Sequence, residues 1–228
     1  MHRQFAAGNV PRIIAKWIPE HDEMSKHVQL PSSIGELEAI FSESAGARAG
    51  IVLCHPHPQY GGSMHDGVVG TVESVAQRSG FATLKFNFRG VGASDGRYDN
   101  GVGEVDDALA AATWLRERIG AKPLWLAGYS FGSNVVWRAL GRAGEVAGVL
   151  LIAPPVGMMD FSARPGVAVS VIAGDADDFV DGAELGRWGR GLSPPARIDF
   201  IEGADHFFSG GYSKLARAAE YALADTVR

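Results

Sequence analysis

The stretch Gly128-Tyr129-Ser130-Phe131-Gly132 is the part of the sequence that decides the fold. It follows the short apolar run 123–127, which is typical of a buried strand, and it precedes the run 133–140, which is typical of a helix. A Gly-x-Ser-x-Gly pattern between a strand and a helix places the serine on a sharp turn with its hydroxyl exposed. The sequence therefore predicts Ser130 as a nucleophile.

A nucleophilic serine requires a base, because its hydroxyl attacks a carbonyl only when the proton is removed. His206 is the one histidine that follows Ser130 in the sequence, and it comes after the strand-like run 196–201. A carboxylate is also needed to orient the base, and in this arrangement the chain order is Ser, acid, His. We therefore expect His206 to be the general base.

The carboxylate is expected after another strand between these two residues. The β-branched run 167–173 fits a buried strand and leads into Asp175, Asp177, Asp178 and Asp181. Asp178 or Asp181 can cap the next helix, because aspartate is a favoured N-cap, and Asp175 can brace the loop. Spacing alone does not choose among the four aspartates.

Five motifs together resemble one family, the α/β-hydrolases, and within it the small lidless bacterial subfamily related to the dienelactone hydrolases. They span about residues 50 to 210 and are CHPHP at 54–58 with GG at 61–62, NFRGVGASDG at 87–96, the pentapeptide 128–132, GDADDFV at 174–180 and GADHFF at 203–208. The resemblance implies a three-layer α/β/α sandwich around a mostly parallel sheet of about seven or eight strands, with no cap domain.

The same resemblance selects the acid. In that family it is the aspartate three residues after the glycine of the fourth motif, which is Asp177 here. The implied triad is Ser130, Asp177 and His206, with Asp178 as the second choice for the acid. No cofactor is implied.

An oxyanion hole needs N–H donors aimed at the oxygen that becomes negative. In this fold one donor is the residue after the nucleophile, here Phe131, and the other comes from the loop after the third strand. In that loop Pro56 and Pro58 have no N–H, so we expect His57 to donate, with Gln59 as the alternative. The prolines also make this segment a loop without a zinc-motif spacing, so no metal site is predicted.

The predicted connection after the sixth strand, residues 154–166, is too short for a cap domain. We therefore expect an open cleft whose apolar loop side chains suit a small acyl chain. The candidates for contact with the substrate are Tyr60, Tyr129, Phe131, Val156, Met158, Met159, Phe179 and Phe207.

Strand-like and helix-like runs alternate along the chain, which predicts a mostly parallel sheet covered on both faces. The predicted strands are 26–31, 36–41, 50–54, 81–88, 123–127, 147–153, 167–173 and 196–201, the first two as an edge hairpin. The predicted helices are 63–79, 102–119, 131–142, 181–190 and 211–226. Arg89 is expected to brace neighbouring loops through Asp95 or Asp106.

Composition is consistent with one α/β domain over residues 26–228, since 46% of the 228 residues are hydrophobic. Residues 1–25 fit the pattern least well and are predicted to be an extension, disordered or docked, that could join a homodimer contact. A net charge of −5 without a basic stripe argues against a nucleic-acid partner, and no apolar run is long enough to span a membrane. A single cysteine excludes an intrachain disulfide and fits a cytoplasmic location.

The expected function is a serine hydrolase acting on a small ester or thioester. Two alternatives stay open. One is a peptidase, an amidase or an acyltransferase using the same site. The other is a catalytically idle hydrolase fold used for binding.

Overall fold

The computed structural model describes residues 25–43, 46–162 and 166–224. Within these ranges eight strands form one sheet in the order β1-β2-β4-β3-β5-β6-β7-β8. They are β1 (Ser25–Ser32), β2 (Gly35–Ser42), β3 (Ala49–Cys54), β4 (Phe81–Phe86), β5 (Leu124–Tyr129), β6 (Gly148–Ile152), β7 (Val169–Gly174) and β8 (Arg197–Ile201). The predicted edge hairpin is formed by β1 and β2, which are antiparallel to each other. Strand β2 is also antiparallel to β4, and the remaining strands, β3 to β8, are all parallel to one another.

Helices cover both faces of the sheet. They are α1 (Gly67–Arg78), α2 (Gly103–Ile119), α3 (Phe131–Ala139), α4 (Gly182–Arg190) and α5 (Tyr212–Ala224). Helices α1 and α5 pack against each other, as do α2 and α3. The rings of Trp137 in α3 and Trp188 in α4 are 5.0 Å apart, so α4 extends the layer formed by α2 and α3.

The central strands explain why the sheet needs helices on both sides. Every residue of β3, β5 and β6 is buried, as expected for parallel strands that have no solvent-facing side. The carboxyl ends of these strands meet at one edge of the sheet. The loops that leave that edge carry the predicted site residues, at the place where α/β proteins bind their ligands.

Element boundaries differ from the predicted ones in a few places. Strand β5 continues through Tyr129, so the first two residues of the pentapeptide belong to the strand rather than to the turn. Strand β4 ends at Phe86 instead of residue 88, and α3 ends at Ala139 instead of residue 142. Helix α1 begins only at Gly67, because the side chain of Asp66 accepts the first free N–H groups and caps it.

The segment that joins β6 to β7, residues 153–168, carries no cap domain in its described part. Residues 1–24 lie outside the described residues, and with them nearly all of the predicted N-terminal extension and its dimer contact. The last two residues predicted for the final helix, 225 and 226, also lie outside. Among the helices of the described ranges, none is both long and apolar enough to span a membrane.

Candidate active site

Ser130 lies at the junction of β5 and α3, and its backbone conformation, with φ 53° and ψ −116°, is one that residues other than glycine rarely adopt. Such a conformation costs on the order of 1–3 kcal/mol and persists only where surrounding contacts enforce it. Two hydrogen bonds fix the turn: the Ser130 N–H donates to the Ile152 carbonyl at 2.8 Å, and the Ser133 N–H donates to the Ser130 carbonyl at 2.9 Å. The result is a serine presented at the apex of a strand-to-helix turn.

The two glycines of the motif allow close backbone approach on either side of Ser130. A Cβ atom on Gly128 would collide with the carbonyl of Gly132. A Cβ atom on Gly132 would collide with the carbonyls of Cys54 and His55. The first glycine therefore allows the tight turn, and the second brings α3 directly against the loop that follows β3.

A continuous hydrogen-bond chain runs from Asp177 through His206 to Ser130. The Ser130 Oγ is 2.9 Å from His206 Nε2, and His206 Nδ1 is 2.8 Å from Asp177 Oδ2. A carboxylate only accepts, so Nδ1 carries the proton and Nε2 is left to accept the proton of the serine hydroxyl. The side chain of Asp177 is wholly buried, and that of His206 is 9% exposed.

The second oxygen of Asp177 is also engaged, because its Oδ1 accepts the Phe179 N–H at 2.8 Å. The structure brings Asp177 to the histidine and leaves the second choice, Asp178, exposed on the outside of the loop. Asp181 caps α4 by accepting the N–H groups of Ala183 and Glu184 at 2.8 and 2.9 Å. Of the aspartates in this loop, Asp177 therefore contacts the histidine and Asp181 caps the helix.

The loop that carries Asp177 and the loop that carries His206 are tied together. Asp175 Oδ1 accepts the Gly203 N–H at 2.6 Å, and the Ala176 N–H donates to the Ala204 carbonyl at 3.1 Å. A Cβ atom on Gly174 would collide with that same carbonyl. Asp175 thus braces the loop as expected, and the acid and the base are positioned by one joint unit.

Tyr129 corrects one expectation, since the sequence suggested that it contacts the substrate. The residue is 3% exposed, and its hydroxyl donates to the His206 carbonyl at 3.0 Å. Burial also raises the pKa of Tyr129, which keeps its hydroxyl protonated as a donor. It lies beneath the histidine loop and supports it. The sequence misplaced it because the last residue of a strand can face either side of the sheet.

The loop after β3 is organised around His57. The Tyr60 and Gly62 N–H groups both donate to the His57 carbonyl at 3.1 Å. The Gln59 N–H donates to His57 Nδ1 at 3.2 Å. Three N–H groups of the loop are therefore directed inward onto one residue.

This arrangement separates the two oxyanion candidates of the loop. Among the described residues, the N–H groups of His57 and Phe131 have no hydrogen-bond acceptor in the protein, whereas that of Gln59 is already used. The rings of His57 and Phe131 are 4.8 Å apart, so the two residues that carry the candidate donors lie next to each other. Gly61, another residue of the loop, is exposed.

Two buried side chains behind this loop, His55 and Cys54, are held in their uncharged forms. His55 donates from Nδ1 to the Pro56 carbonyl at 2.6 Å and accepts the Phe88 N–H at Nε2 at 3.1 Å, and burial lowers its pKa to about 4. Burial raises the pKa of the Cys54 thiol, which keeps it protonated and a poor nucleophile. Within the described ranges, no three His, Cys, Asp or Glu side chains are grouped so as to hold a metal ion.

The other predicted substrate contacts fall into two groups. Phe179 and Phe207 are exposed, and their rings lie 4.8 and 5.5 Å from that of His206. Tyr60 and Met158 are also exposed and lie on loops at the same edge of the sheet. Phe131 and Val156 are buried, and Met159 is half-buried, so the expectation that these three line an open cleft finds less support.

Arg89 corrects another expectation. Its partner is Asp107, whose Oδ1 lies 2.7 Å from Arg89 Nη2 and whose Oδ2 accepts the Arg89 N–H at 3.0 Å. The two residues suggested by sequence are occupied elsewhere: Asp95 accepts the Glu36 N–H, and Asp106 pairs with Arg142.

One residue near the site, Tyr98, was not predicted from the sequence. The Tyr98 hydroxyl is 3.1 Å from His57 Nε2, although 41 residues separate the two in the chain. Tyr98 follows a glycine-rich loop, and no local pattern marks it.

The chain is similar to known proteins in both sequence and fold. The family model of the α/β-hydrolase fold matches residues 51–182. An uncharacterized protein from Rickettsia prowazekii (strain Madrid E) is 37% identical over 196 residues, covering 81% of this chain and 82% of the relative.

Two solved structures also share the fold over nearly their full lengths. A lidless α/β serine hydrolase from Xanthomonas campestris has 33% identity and a TM-score of 0.84, over 92% of this chain and 98% of the other. An α/β serine hydrolase homologue from Coxiella burnetii has 33% identity and a TM-score of 0.81, over 87% and 97%. The suggested relation to dienelactone hydrolases stays a prediction. By sequence and by structure, the chain belongs to the α/β-hydrolase family, with lidless bacterial serine hydrolases among its relatives.

Proposed function

We propose that this protein cleaves small carboxylic esters or thioesters through an acyl-enzyme formed on Ser130. The observation that carries the proposal is the hydrogen-bond chain Asp177–His206–Ser130, with links of 2.8 and 2.9 Å. A base within hydrogen-bond reach of a serine, itself held by a buried carboxylate, is the arrangement that activates a hydroxyl for attack on a carbonyl.

In the acylation half of the reaction, Ser130 Oγ attacks the carbonyl carbon while its proton passes to His206 Nε2. The carbonyl oxygen becomes negative, and the N–H groups of Phe131 and His57 donate to it. When the tetrahedral intermediate collapses, the bond to the leaving oxygen or sulfur breaks. His206 returns its proton to that atom, and the acyl group stays on Ser130.

In the deacylation half, water replaces the alcohol or thiol. His206 Nε2 accepts a proton from the water as its oxygen attacks the acyl carbon, and the same two N–H groups stabilise the second oxyanion. The ester bond to Ser130 then breaks, the proton returns to Ser130 Oγ, and a carboxylic acid leaves. Asp177 keeps Nδ1 protonated and stabilises the imidazolium that forms in each half, without taking the proton itself.

The surroundings of the triad support a small and largely apolar substrate. The described residues form no cap domain over the site, and exposed aromatic side chains on the Asp177 and His206 loops, Phe179 and Phe207, border the histidine. Such a rim contacts an alkyl or aryl group without demanding a fixed charge on it. Selection among esters would then depend on these loop side chains.

The direct test compares hydrolysis of p-nitrophenyl acetate by the wild-type protein and by Ser130→Ala. We expect kcat to fall roughly 10³-fold or more, because the nucleophile is removed and only binding and the oxyanion donors remain. Ser74→Ala is the matched control, since Ser74 is exposed on α1 and away from the site. Equal rates for Ser130→Ala and the wild type would contradict the mechanism.

Two further measurements separate the alternatives. A fluorophosphonate probe should form an adduct on Ser130 that mass spectrometry locates, and a wild-type protein without adduct or turnover would favour an idle binding fold. A panel of esters, thioesters and amides sharing one acyl group should give the highest kcat/KM for an ester or a thioester. A highest value for the amide would favour the peptidase or amidase alternative.

A further inference from the structure

We propose that Tyr98 is a positioning residue for the oxyanion hole: through the His57 ring it holds the loop after β3 so that the His57 N–H is presented to the substrate. The inference rests on the proposed function, because it gives Tyr98 a part in stabilising the same oxyanion. It assigns a role to the segment between β4 and α2, which holds no residue of the triad.

The proton positions on the His57 ring follow from its two contacts. The Gln59 N–H donates to Nδ1 at 3.2 Å, so Nδ1 is without a proton. The neutral ring then carries its proton on Nε2, and that N–H points at the Tyr98 hydroxyl oxygen 3.1 Å away. Tyr98 is therefore the acceptor that stabilises the one tautomer able to receive the Gln59 N–H.

That tautomer keeps the Gln59 N–H bonded to the ring. The Tyr60 and Gly62 N–H groups are bonded to the His57 carbonyl in either tautomer, so all three N–H groups already have an acceptor in the protein. The His57 N–H is left beside that of Phe131. If the ring took the other tautomer, Nδ1–H would face the Gln59 N–H, and the loop would lose the bond that holds this turn.

The environment of the pair keeps both partners uncharged. Burial lowers the pKa of His57, against an opposing effect of the nearby Glu104 carboxylate. Burial raises the pKa of Tyr98, and Glu104 and the Tyr60 hydroxyl act in the same direction. A neutral imidazole and a neutral phenol can keep one donor and one acceptor facing each other around neutral pH.

Tyr98 is itself held in place. Glu104, at the start of α2 and wholly buried, accepts the Asp99 and Gly101 N–H groups at 2.8 Å each. The Tyr98 ring lies 5.0 Å from that of His57 and 6.0 Å from that of Phe131. The phenol thus contacts the side chains of both proposed oxyanion donors from a position fixed by α2.

The test is Tyr98→Phe, which removes only the hydroxyl and keeps the ring packed. We expect kcat for p-nitrophenyl acetate to fall roughly tenfold with KM changed less than twofold. Outright loss of an oxyanion donor costs on the order of 10²–10³ in kcat, and here the donor is loosened rather than removed. Tyr221→Phe, on the outer face of α5, removes an exposed hydroxyl as the matched control, and melting temperatures check that each variant is folded.

A double-mutant cycle with His57→Ala shows whether Tyr98 acts through the ring. The alanine variant keeps the backbone N–H but has no imidazole, so adding Tyr98→Phe to it should change kcat less than twofold. Losses that multiply across the two sites would overturn the proposal, as would a Tyr98→Phe protein with wild-type kcat. A wild-type protein that hydrolyses no ester would instead refute the proposed function, so the two failures are distinguishable.

Discussion

At the scale of single residues, His55 links the acidity of the medium to the stability of the fold. Its ring is wholly buried behind the loop after β3, and both nitrogens are hydrogen-bonded in the neutral form. Burial lowers its pKa from 6.5 to about 4. Protonation in the folded state would place a charge where there is no water and would break the bond from the Phe88 N–H.

The pKa of His55 is lower in the folded protein than in the unfolded chain, and this difference in pKa sets the direction of the pH effect. Below about pH 6.5 the unfolded chain gains a proton on His55, while the folded protein stays neutral there down to about pH 4. Stability from this group is fully present above pH 6.5 and is lost as the pH falls through that window, by about 3 kcal/mol in all. Below pH 4 both states are protonated and the loss from this group ends.

Urea unfolding at pH 7 and at pH 4.5 measures this effect. His55→Gln should lower the free energy of unfolding at pH 7 and reduce its dependence on pH. His27→Gln, at an exposed position of β1, is the control that should keep the wild-type dependence. An unchanged pH dependence in His55→Gln would contradict the assignment.

What the sequence could predict at this scale depended on the range of the signal. Ser130 and His206 followed from a local motif and from chain order, and the structure places them within hydrogen-bond distance of each other. Asp177 required the family resemblance. Tyr98 and Asp107 could not be predicted, because their contacts depend on how α2 and its preceding loop lie in three dimensions.

The pair Asp106 and Asp107 makes the physical reason explicit. The two aspartates are neighbours on α2, but successive residues of a helix point in directions about 100° apart. Asp107 is therefore buried against Arg89, while Asp106 lies at the surface with Arg142. The expected partner of Arg89 was a carboxylate such as Asp95 or Asp106, and the rotation of the helix selects Asp107 instead.

At the scale of secondary-structure elements, Gly132 controls how closely α3 approaches the loop after β3. Alanine is normally the better helix residue, by about 1 kcal/mol. A Cβ atom here would nevertheless collide with the backbone carbonyls of Cys54 and His55, which cannot move without displacing the loop after β3. The energetic gain from helix propensity is therefore outweighed by the clash.

We expect Gly132→Ala to lower the free energy of unfolding by about 1–3 kcal/mol, as overpacking does, and to lower kcat as well. Gly141→Ala is the matched control, because a Cβ atom there meets no other atom within 4 Å and the residue follows the same helix. Urea unfolding and ester hydrolysis measure both variants. A stabilised and fully active Gly132→Ala protein would contradict the close approach described for this helix.

Strand and helix identities could be predicted because buried parallel strands have continuous apolar sequences. The ends of strands are harder to predict where residues typical of turns still take part in the hydrogen-bonded pairing of the sheet. Gly128 and Tyr129 look like part of a turn by composition, yet they pair with β6 as the end of β5. The ladder continues because the positive φ occurs only at Ser130, the next residue.

At the scale of the whole molecule, the described part of the short connection between β6 and β7 places no domain over the triad. A lid that shields an apolar site in water has to open before the substrate enters, which makes the rate depend on an interface. Without a lid, the rate should depend only on the concentration of dissolved ester. We therefore expect p-nitrophenyl butyrate to give simple saturation, with no jump in rate as emulsion droplets form above its solubility limit.

A lidded lipase measured in parallel provides the positive control for that experiment. It should show the jump under the same conditions, while this protein should not. A jump in the rate of this protein would indicate a covering element that closes over the cleft.

The open cleft also bears on the fate of the acyl group after the first product leaves. A covered site can exclude bulk water and hold a chosen acceptor, which favours transfer of the acyl group to another alcohol or amine. In the proposed mechanism, none of the described residues forms a cap over the acyl group on Ser130, so water competes with every other acceptor from the moment that ester bond forms. For the proposed mechanism we therefore expect hydrolysis to outcompete transfer of the acyl group to another acceptor.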